Sequence, residues 1–574
     1  MPELFTRWGS TISTAPLSEY PRPQLRRDSY INLNGVWMYA ITKSPVPPEE
    51  YEGGILVPFS PESLLSCVRR QVGRSDYIHY MRTFPSPEAG ENRCVLLNFG
   101  AVDQRAKVFI NGFPVGEHAG GYLPFSLDIT GALRPGENVL TVTVRDNADD
   151  ETLSHGRQSY EPGGLWHSTF SGIWQTVWLE VVPEEHITSL TITPDIDSGT
   201  VSIAIAGAAD GQCRVYSGGV LHASGAIASG ECTLSMGDFR LWSTDDPFLY
   251  DVELICGEDR IYSYFGMRKF STVPYRGRYV TALNNRPFFM KGILDQGMWS
   301  DSMATPPADD AMISDIETAR SLGFNMIHKS AKIEPLRWYY HCDRLGMLVW
   351  QDMVPSGGRQ DDSLTKAVSR LGMLLKDSHY GIYGRRSREG REQFRRDCLD
   401  TCALLKNCVS LCTWVLFSRG RGQFDSMELT QLLWDSDPTR LVDSACGGHD
   451  QLGGDFKSRH IYGHRIHLKG DNYRALALSA FGSCGLDVAG HTLCRVPSCK
   501  ETFGSAEKLS LELEKLFSGQ LPPLIIREKL SVCIFTQLSD TEDEVDGLLT
   551  TDREVLKIAP DRLRPLLDAL EFEE

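Results

Sequence analysis

No run of about 18 consecutive apolar residues occurs in the chain, so no membrane-spanning helix is expected. Residues 1–10 lack both the basic start and the apolar stretch of a secretory leader, which makes the cytoplasm the expected location. Positive charge is in deficit: 58 Lys and Arg stand against 75 Asp and Glu, a net charge of −17. That balance repels phosphate backbones and anionic lipid, so neither nucleic acid nor a membrane surface is an expected partner. Low-complexity tracts are missing, and 41% hydrophobic with 23% charged residues is ordinary folded composition. The 15 cysteines lack the even count and regular spacing of a disulfide framework. One of them sits inside the apolar run Ser531-Val532-Cys533-Ile534-Phe535, which suits buried reduced thiols.

What is present is length and rhythm. At 574 residues the chain exceeds what one core organises. Over 1–182, short alternating runs such as Val139-Leu140-Thr141-Val142-Thr143-Val144, cut by turns such as Asn111-Gly112, predict a jelly-roll-like β-sandwich. Over 183–272, runs such as Thr200-Val201-Ser202-Ile203-Ala204-Ile205 predict an immunoglobulin-like β-sandwich. From 273 to 574, compact apolar strands alternate with longer segments, the signature of an eight-stranded β/α (TIM) barrel. Its strands are expected at 288–294, 324–328, 347–353, 410–417, 440–446, 458–462, 475–481 and 532–538. The first connecting helix has Pro306 and Pro307 at its start, Asp309 and Asp310 in its first turn, and Gly323 closing it. The long polar connection 355–397 is either a lid or a solvated excursion.

Barrel chemistry sits at the carboxyl ends of the strands. That rule selects Asp295 and Gln296, Lys329, Asp352, the run from Ser418 and Arg419 to Gln423, His460, Ala480 in Ser479-Ala480-Phe481-Gly482, and Gln537. His460, His464 and His467 imitate a metal spacing, but strand-into-loop geometry does not put three rings on one face, so no metal is expected. No cofactor is expected either. Cys398 and Cys402 fall at helical spacing and read as small apolar residues of a buried face.

Several runs follow one another in a recognisable order: Leu33-Asn34-Gly35-Val36-Trp37, Gly120-Gly121-Tyr122-Leu123-Pro124-Phe125 and Ser171-Gly172-Ile173-Trp174-Gln175. Leu241-Trp242-Ser243, Cys342-Asp343-Arg344-Leu345-Gly346 and Val349-Trp350-Gln351-Asp352 continue the series. Through them almost the whole chain resembles glycoside hydrolase family 2, the β-galactosidases, β-glucuronidases and β-mannosidases. The resemblance implies a retaining mechanism, in which one carboxylic acid protonates the leaving oxygen and a second carboxylate, about 5 to 5.5 Å away, attacks the anomeric carbon. The family's acid lies in an Asn-Glu-Gly run after strand four; here that run reads Ser418-Arg419-Gly420. The nucleophile lies in a Glu-Phe-Gly run after strand seven; here it reads Ala480-Phe481-Gly482.

A guanidinium keeps its proton and a methyl group has no lone pair, so normal double displacement is not expected. The resemblance implies sugar-contacting roles for Asp295, Gln296, Lys329, Asp352, Ser418, His460 and Tyr462. Nearby runs also depart from the family: Asn325-Met326-Ile327-His328-Lys329-Ser330 has His328 for an Arg and Ser330 for a His, and Arg421 stands at a family Trp. Arg419 and Arg421 either recognise an anionic sugar or, in the case of Arg421, point to solvent. The expected function is a family 2-like protein of carbohydrate metabolism, inactive or impaired, that retains carbohydrate binding. The alternative is an active β-glycosidase using unorthodox carboxylates such as Asp295 and Asp352. Fold analogy assigns no particular sugar.

Overall fold

Period-two burial builds the two N-terminal bodies. In the strand Glu137–Arg145, Asn138, Leu140, Val142 and Val144 are buried while Glu137 and Arg145 are exposed. A computed structural model describes residues 3–88, 90–361, 363–365, 368, 374–463, 465–493 and 496–573. In it this strand lies within a six-stranded antiparallel sheet, ordered Gly53–Val57, Gly35–Thr42, Tyr77–Pro85, Glu137–Arg145, Arg105–Ile110, Phe113–Ala119. A four-stranded sheet of Ile31–Asn32, Val177–Pro183, Arg93–Phe99 and Phe125–Asp128 shares its core, in which Trp37, Tyr80, Leu97, Val142 and Leu179 meet. The second sandwich packs a three-stranded sheet on a four-stranded one around Ile203, Val215, Val252 and Phe265.

The family-like motifs do structural work. Asn34 Oδ1 accepts from Val177 N at 3.0 Å, and Asn34 Nδ2 donates to Pro16 O at 3.1 Å, tying the sandwich's start to its last strand. Trp174, fully buried, donates Nε1 to Gly121 O at 2.8 Å, and its carbonyl accepts from Thr305 Oγ1 at 2.7 Å, so one residue joins sandwich to barrel. Replacing such a Trp by Ala costs about 3–5 kcal/mol. Asp343 Oδ1 accepts from Ser410 N at 2.7 Å while Oδ2 accepts from Tyr264 OH at 2.8 Å, joining barrel to second sandwich.

The barrel strands are β1 (Met290–Asp295), β2 (Met326–Lys329), β3 (Leu348–Asp352), β4 (Leu411–Val415), β5 (Leu441–Asp443), β6 (Phe456–Ile461), β7 (Ala475–Gly482) and β8 (Leu530–Thr536). All eight lie within or beside the expected segments. They form one parallel sheet ordered β5-β4-β3-β2-β1-β8-β7-β6, a nearly closed barrel whose ends, β5 and β6, are adjacent but share no ladder. A hairpin, Phe270–Tyr275 with Arg278–Leu283, precedes β1, and its Phe270 and Leu283 join the interior cluster of Met290, Leu348, Trp350 and Phe456. It closes the end opposite the mouth, and the expected boundary at 272/273 falls within it.

Helix α1 (Asp309–Ser321) begins with Asp309 against Arg337 and ends before Gly323, as its sequence predicts. Helix α2 (Leu336–Leu345) stops at Gly346, where φ is 70° and a Cβ would meet Thr244 O at 2.4 Å, so only glycine fits. Helix α3 (Arg388–Leu405) is capped by Ser387 Oγ accepting from Gly390 N at 3.0 Å and buries Cys398 and Cys402 on its inner face. Among the described residues every cysteine is a free thiol and no helix is long and apolar enough to cross a membrane.

Candidate functional site

Strand alternation decides which side chains reach the barrel mouth. On β2, His328 turns inward: its Nε2 lies 2.6 Å from Asp352 Oδ1, and its ring meets interior Trp350 edge-on. Its neighbour Lys329 therefore turns outward, where Nζ lies 4.3 Å from the centre of the Trp338 ring and donates to Asp295 and, at 2.8 Å, to Glu334 Oε1. Lys332 completes this buried network, 2.9 Å from the same Glu334 oxygen. Burial would neutralise Asp295 and Lys329, but their mutual attraction prevails and keeps both charged.

Asp295 and Lys329, expected to contact a sugar, lie 2% and 0% exposed and pair with each other. Asp352 faces inward and holds the ends of β2 and β3: Oδ2 accepts from Ala331 N at 2.9 Å and Ser330 Oγ at 3.2 Å.

The remaining predicted residues do gather at the mouth. Gln296, one step past β1, donates Nε2 to Gln537 Oε1 at 2.6 Å and to Glu544 Oε2 at 2.5 Å. Ser418, Arg419 and Gly420 form a single tight turn after β4, with Arg419 in the left-handed region at φ 55°, ψ 19°. An L-residue holds that conformation at about 1–2 kcal/mol. Arg419 makes no hydrogen bond or ion pair with a described residue, and its Nε is buried without a partner. Tyr462, Glu544 and Asp546 surround it with enough negative potential to raise its pKa although burial opposes this. Ala480 is 1% exposed and stands opposite His460 in the β6–β7 register. His460 Nε2 lies 3.3 Å from Cys446 Sγ, and its ring centre is 6.3 Å from that of Tyr462. Burial and the nearby Arg419 hold His460 neutral.

Several mouth residues escaped the sequence reading. From the first sandwich, the loop after Glu137–Arg145 carries Arg157, whose Nη1 donates to Gln296 Oε1 at 2.5 Å and Nη2 to Ser330 Oγ at 2.8 Å. Burial and Arg419 lower Arg157 to about 10, and His167 beside it falls to about 3. From the loop after β8 come Glu544 and Asp546, both accepting from Gln537 Nε2, at 3.2 and 2.8 Å. Burial and Glu544 push Asp546 up to about 6. Two signals could have found them: a non-alternating stretch of more than twenty residues between strands, and an acidic run in a strand-to-helix loop of the barrel.

The 355–397 connection returns to this rim. His155 N and Gly156 N both donate to Pro355 O at 3.0 Å, and buried Arg385 donates to Gly422 O at 2.7 Å and Ser356 Oγ at 2.6 Å. Among the described residues no cluster of His, Cys, Asp and Glu has metal-holding geometry; His464 lies outside them.

Comparisons with known proteins fit this architecture. Residues 58–169 match the family model "Glycosyl hydrolase 2 galactose-binding domain-like". The chain is 24% identical over 326 residues to a β-galactosidase of Thermoanaerobacter pseudethanolicus, covering 52% of this chain and 43% of that protein. It is 27% identical over 303 residues to a β-glucuronidase of Paenibacillus borealis, covering 48% and 50%. These matches make the chain similar to family 2 glycoside hydrolases. Its match to the β-galactosidase and to two putative β-glucuronidases of Formosa agariphila spans less than half the length of each. The β-D-glucuronidase structure from Dictyoglomus thermophilum shares the fold with a TM-score of 0.74 at 17% identity, over 97% of this chain and 100% of that one. A Faecalibacterium prausnitzii β-glucuronidase gives 0.73 at 21%, over 97% and 100%. On this scaffold Arg419 follows β4 and Ala480 lies near the end of β7.

Proposed function

We propose that this protein binds a β-glycoside at the barrel mouth without cleaving it by the retaining double displacement of its relatives. The observation that carries the reading is the pair Arg419 and Ala480 at the ends of β4 and β7. A guanidinium keeps its proton at physiological pH, and a buried methyl group cannot attack an anomeric carbon. Polar groups able to hold a sugar lie at the same barrel mouth: Gln296, Tyr462, His460 and Gln537. This reading predicts saturable binding of a β-glycoside in calorimetry with no sugar released on prolonged incubation; release of reducing sugar at enzymatic rates would overturn it.

One observation favours a second reading, an active glycosidase with displaced carboxylates. Asp546, lifted to about 6 by burial and by Glu544, shares Gln537 with that second carboxyl, so one carboxyl of the pair is poised to hold a proton closer to neutral pH. The readings separate on Asp546→Asn: it abolishes turnover under the second and has none to abolish under the first.

A further inference from the structure

A cavity at the rim of the mouth, between the sandwich loop and the 355–360 segment, is lined by Arg157, Trp166, Gln360, Ser418, Arg419 and Arg421 among others. Among its described lining residues there is no Asp or Glu. Arg421 stacks 4.8 Å from the centre of the Trp166 ring, and Trp166 lies parallel to His155, so the cavity has an aromatic wall beside its cations.

The guanidiniums here differ from several others in the molecule. Arg27 pairs with Asp259 and Glu180, Arg474 with Asp450 and Asp471, and Arg553 with Asp315. Arg157 instead donates only to the neutral side chains of Gln296 and Ser330. Arg419 has no partner among the described residues. Arg385, directly beneath the floor at Ser356 and Gly422, bonds only neutral oxygens and leaves Nη2 buried and unsatisfied. The carboxylates nearest in potential are already engaged. Glu544 accepts from Gln296 and Gln537, Asp546 from Gln537 and Ser483, and Asp352 pairs with His328. Burying several cations without counter-charge is costly, and the cost falls when an anion enters.

Resting on the carbohydrate-binding reading above, we infer that this cavity is a subsite for an anionic substituent, a carboxylate or sulfate ester, on the bound saccharide, held by Arg157 and Arg419 with the sugar ring against Trp166. Guanidinium forks match both oxyanions bidentately, and a ring face fits an aromatic wall. Arg419 follows β4 at the barrel mouth, so the anion is placed where a fixed positive charge both holds the ligand and opposes its protonation.

Calorimetry on the full chain tests this with four probes: a β-linked disaccharide carrying a uronate, the same disaccharide carrying a sulfate ester, its neutral parent, and sodium sulfate alone. At least one anionic disaccharide is expected to bind roughly tenfold or more tighter than the neutral parent, with the advantage shrinking as NaCl rises. Arg419→Gln and Arg157→Gln, checked for unaltered melting, are each expected to remove most of that advantage, read within each variant as the ratio of anionic to neutral affinity. Equal affinity for charged and neutral disaccharides in the wild type, which needs no variant, overturns the inference while leaving sugar binding intact. Binding of sulfate alone as tight as that of the sulfated disaccharide overturns it as an adventitious ion only. Binding of no saccharide fells both this inference and the reading beneath it.

Discussion

His328 Nε2 lies 2.6 Å from Asp352 Oδ1 inside the barrel mouth, and the other Asp352 oxygen accepts from Ala331 N and Ser330 Oγ. The carboxylate is a fastener between β2 and β3. Asp352→Asn is expected to destabilise the protein by about 1–3 kcal/mol, the cost of leaving buried donors poorly satisfied. Urea unfolding checks this; an unchanged midpoint would free Asp352 for a purely ligand-facing role.

The outward network predicts a larger effect. Lys329→Met leaves Asp295 and Glu334 facing each other in the barrel wall without their shared cation, at an expected cost of about 3–5 kcal/mol. If Lys329 faced a sugar instead, the same change would weaken binding and spare the denaturation midpoint.

A third prediction concerns pH and the sandwich side of the molecule. Glu62 accepts from Ser171 N and Oγ at 3.1 and 2.9 Å, and Ser171 Oγ also reaches Asp146. Burial lifts Glu62 to about 8 and Asp146 to about 7. A carboxyl whose pKa is raised on folding contributes stability that is complete below its unfolded pKa and is lost as pH rises through its folded one, at up to about 1.4 kcal/mol per pH unit. Glu62→Gln is therefore expected to flatten the fall in stability between pH 4.5 and about 8 relative to wild type. Parallel curves for the two proteins would contradict the raised value.

Restoring the relatives' chemistry gives a fourth prediction. In Arg419→Glu with Ala480→Glu, two carboxyl groups return to the ends of β4 and β7, and detectable hydrolysis of an aryl β-glycoside is expected if the mouth still seats a sugar. Either single variant is expected to remain silent, because the retaining route needs both groups.

Much of this was legible in the sequence because the physics is local. Period-two runs marked both sandwiches, apolar strands separated by helical segments marked all eight barrel strands, and Asp309 and Gly323 marked the ends of α1. Motif position singled out Arg419 and Ala480, and the structure sets the first in the turn after β4 and the second on β7. What one residue's neighbours do in space was not: Asp295 and Lys329 lie at strand ends just as the mouth residues do, and only the inward or outward phase of each strand separates them. Arg157 comes from another domain, more than 130 residues before β1, and no barrel rule reaches it. Glu544 and Asp546 lie in a barrel loop beyond the one mouth residue, Gln537, that the strand rule selected there.

The central claim is that retaining hydrolysis is lost at Arg419 and Ala480, and release of nitrophenol from aryl β-galactoside, β-glucuronide and β-mannoside by the pure wild-type protein tests it most directly. The account predicts no release above the buffer rate for any of the three. Turnover that persists through purification and disappears in Asp546→Asn would contradict it.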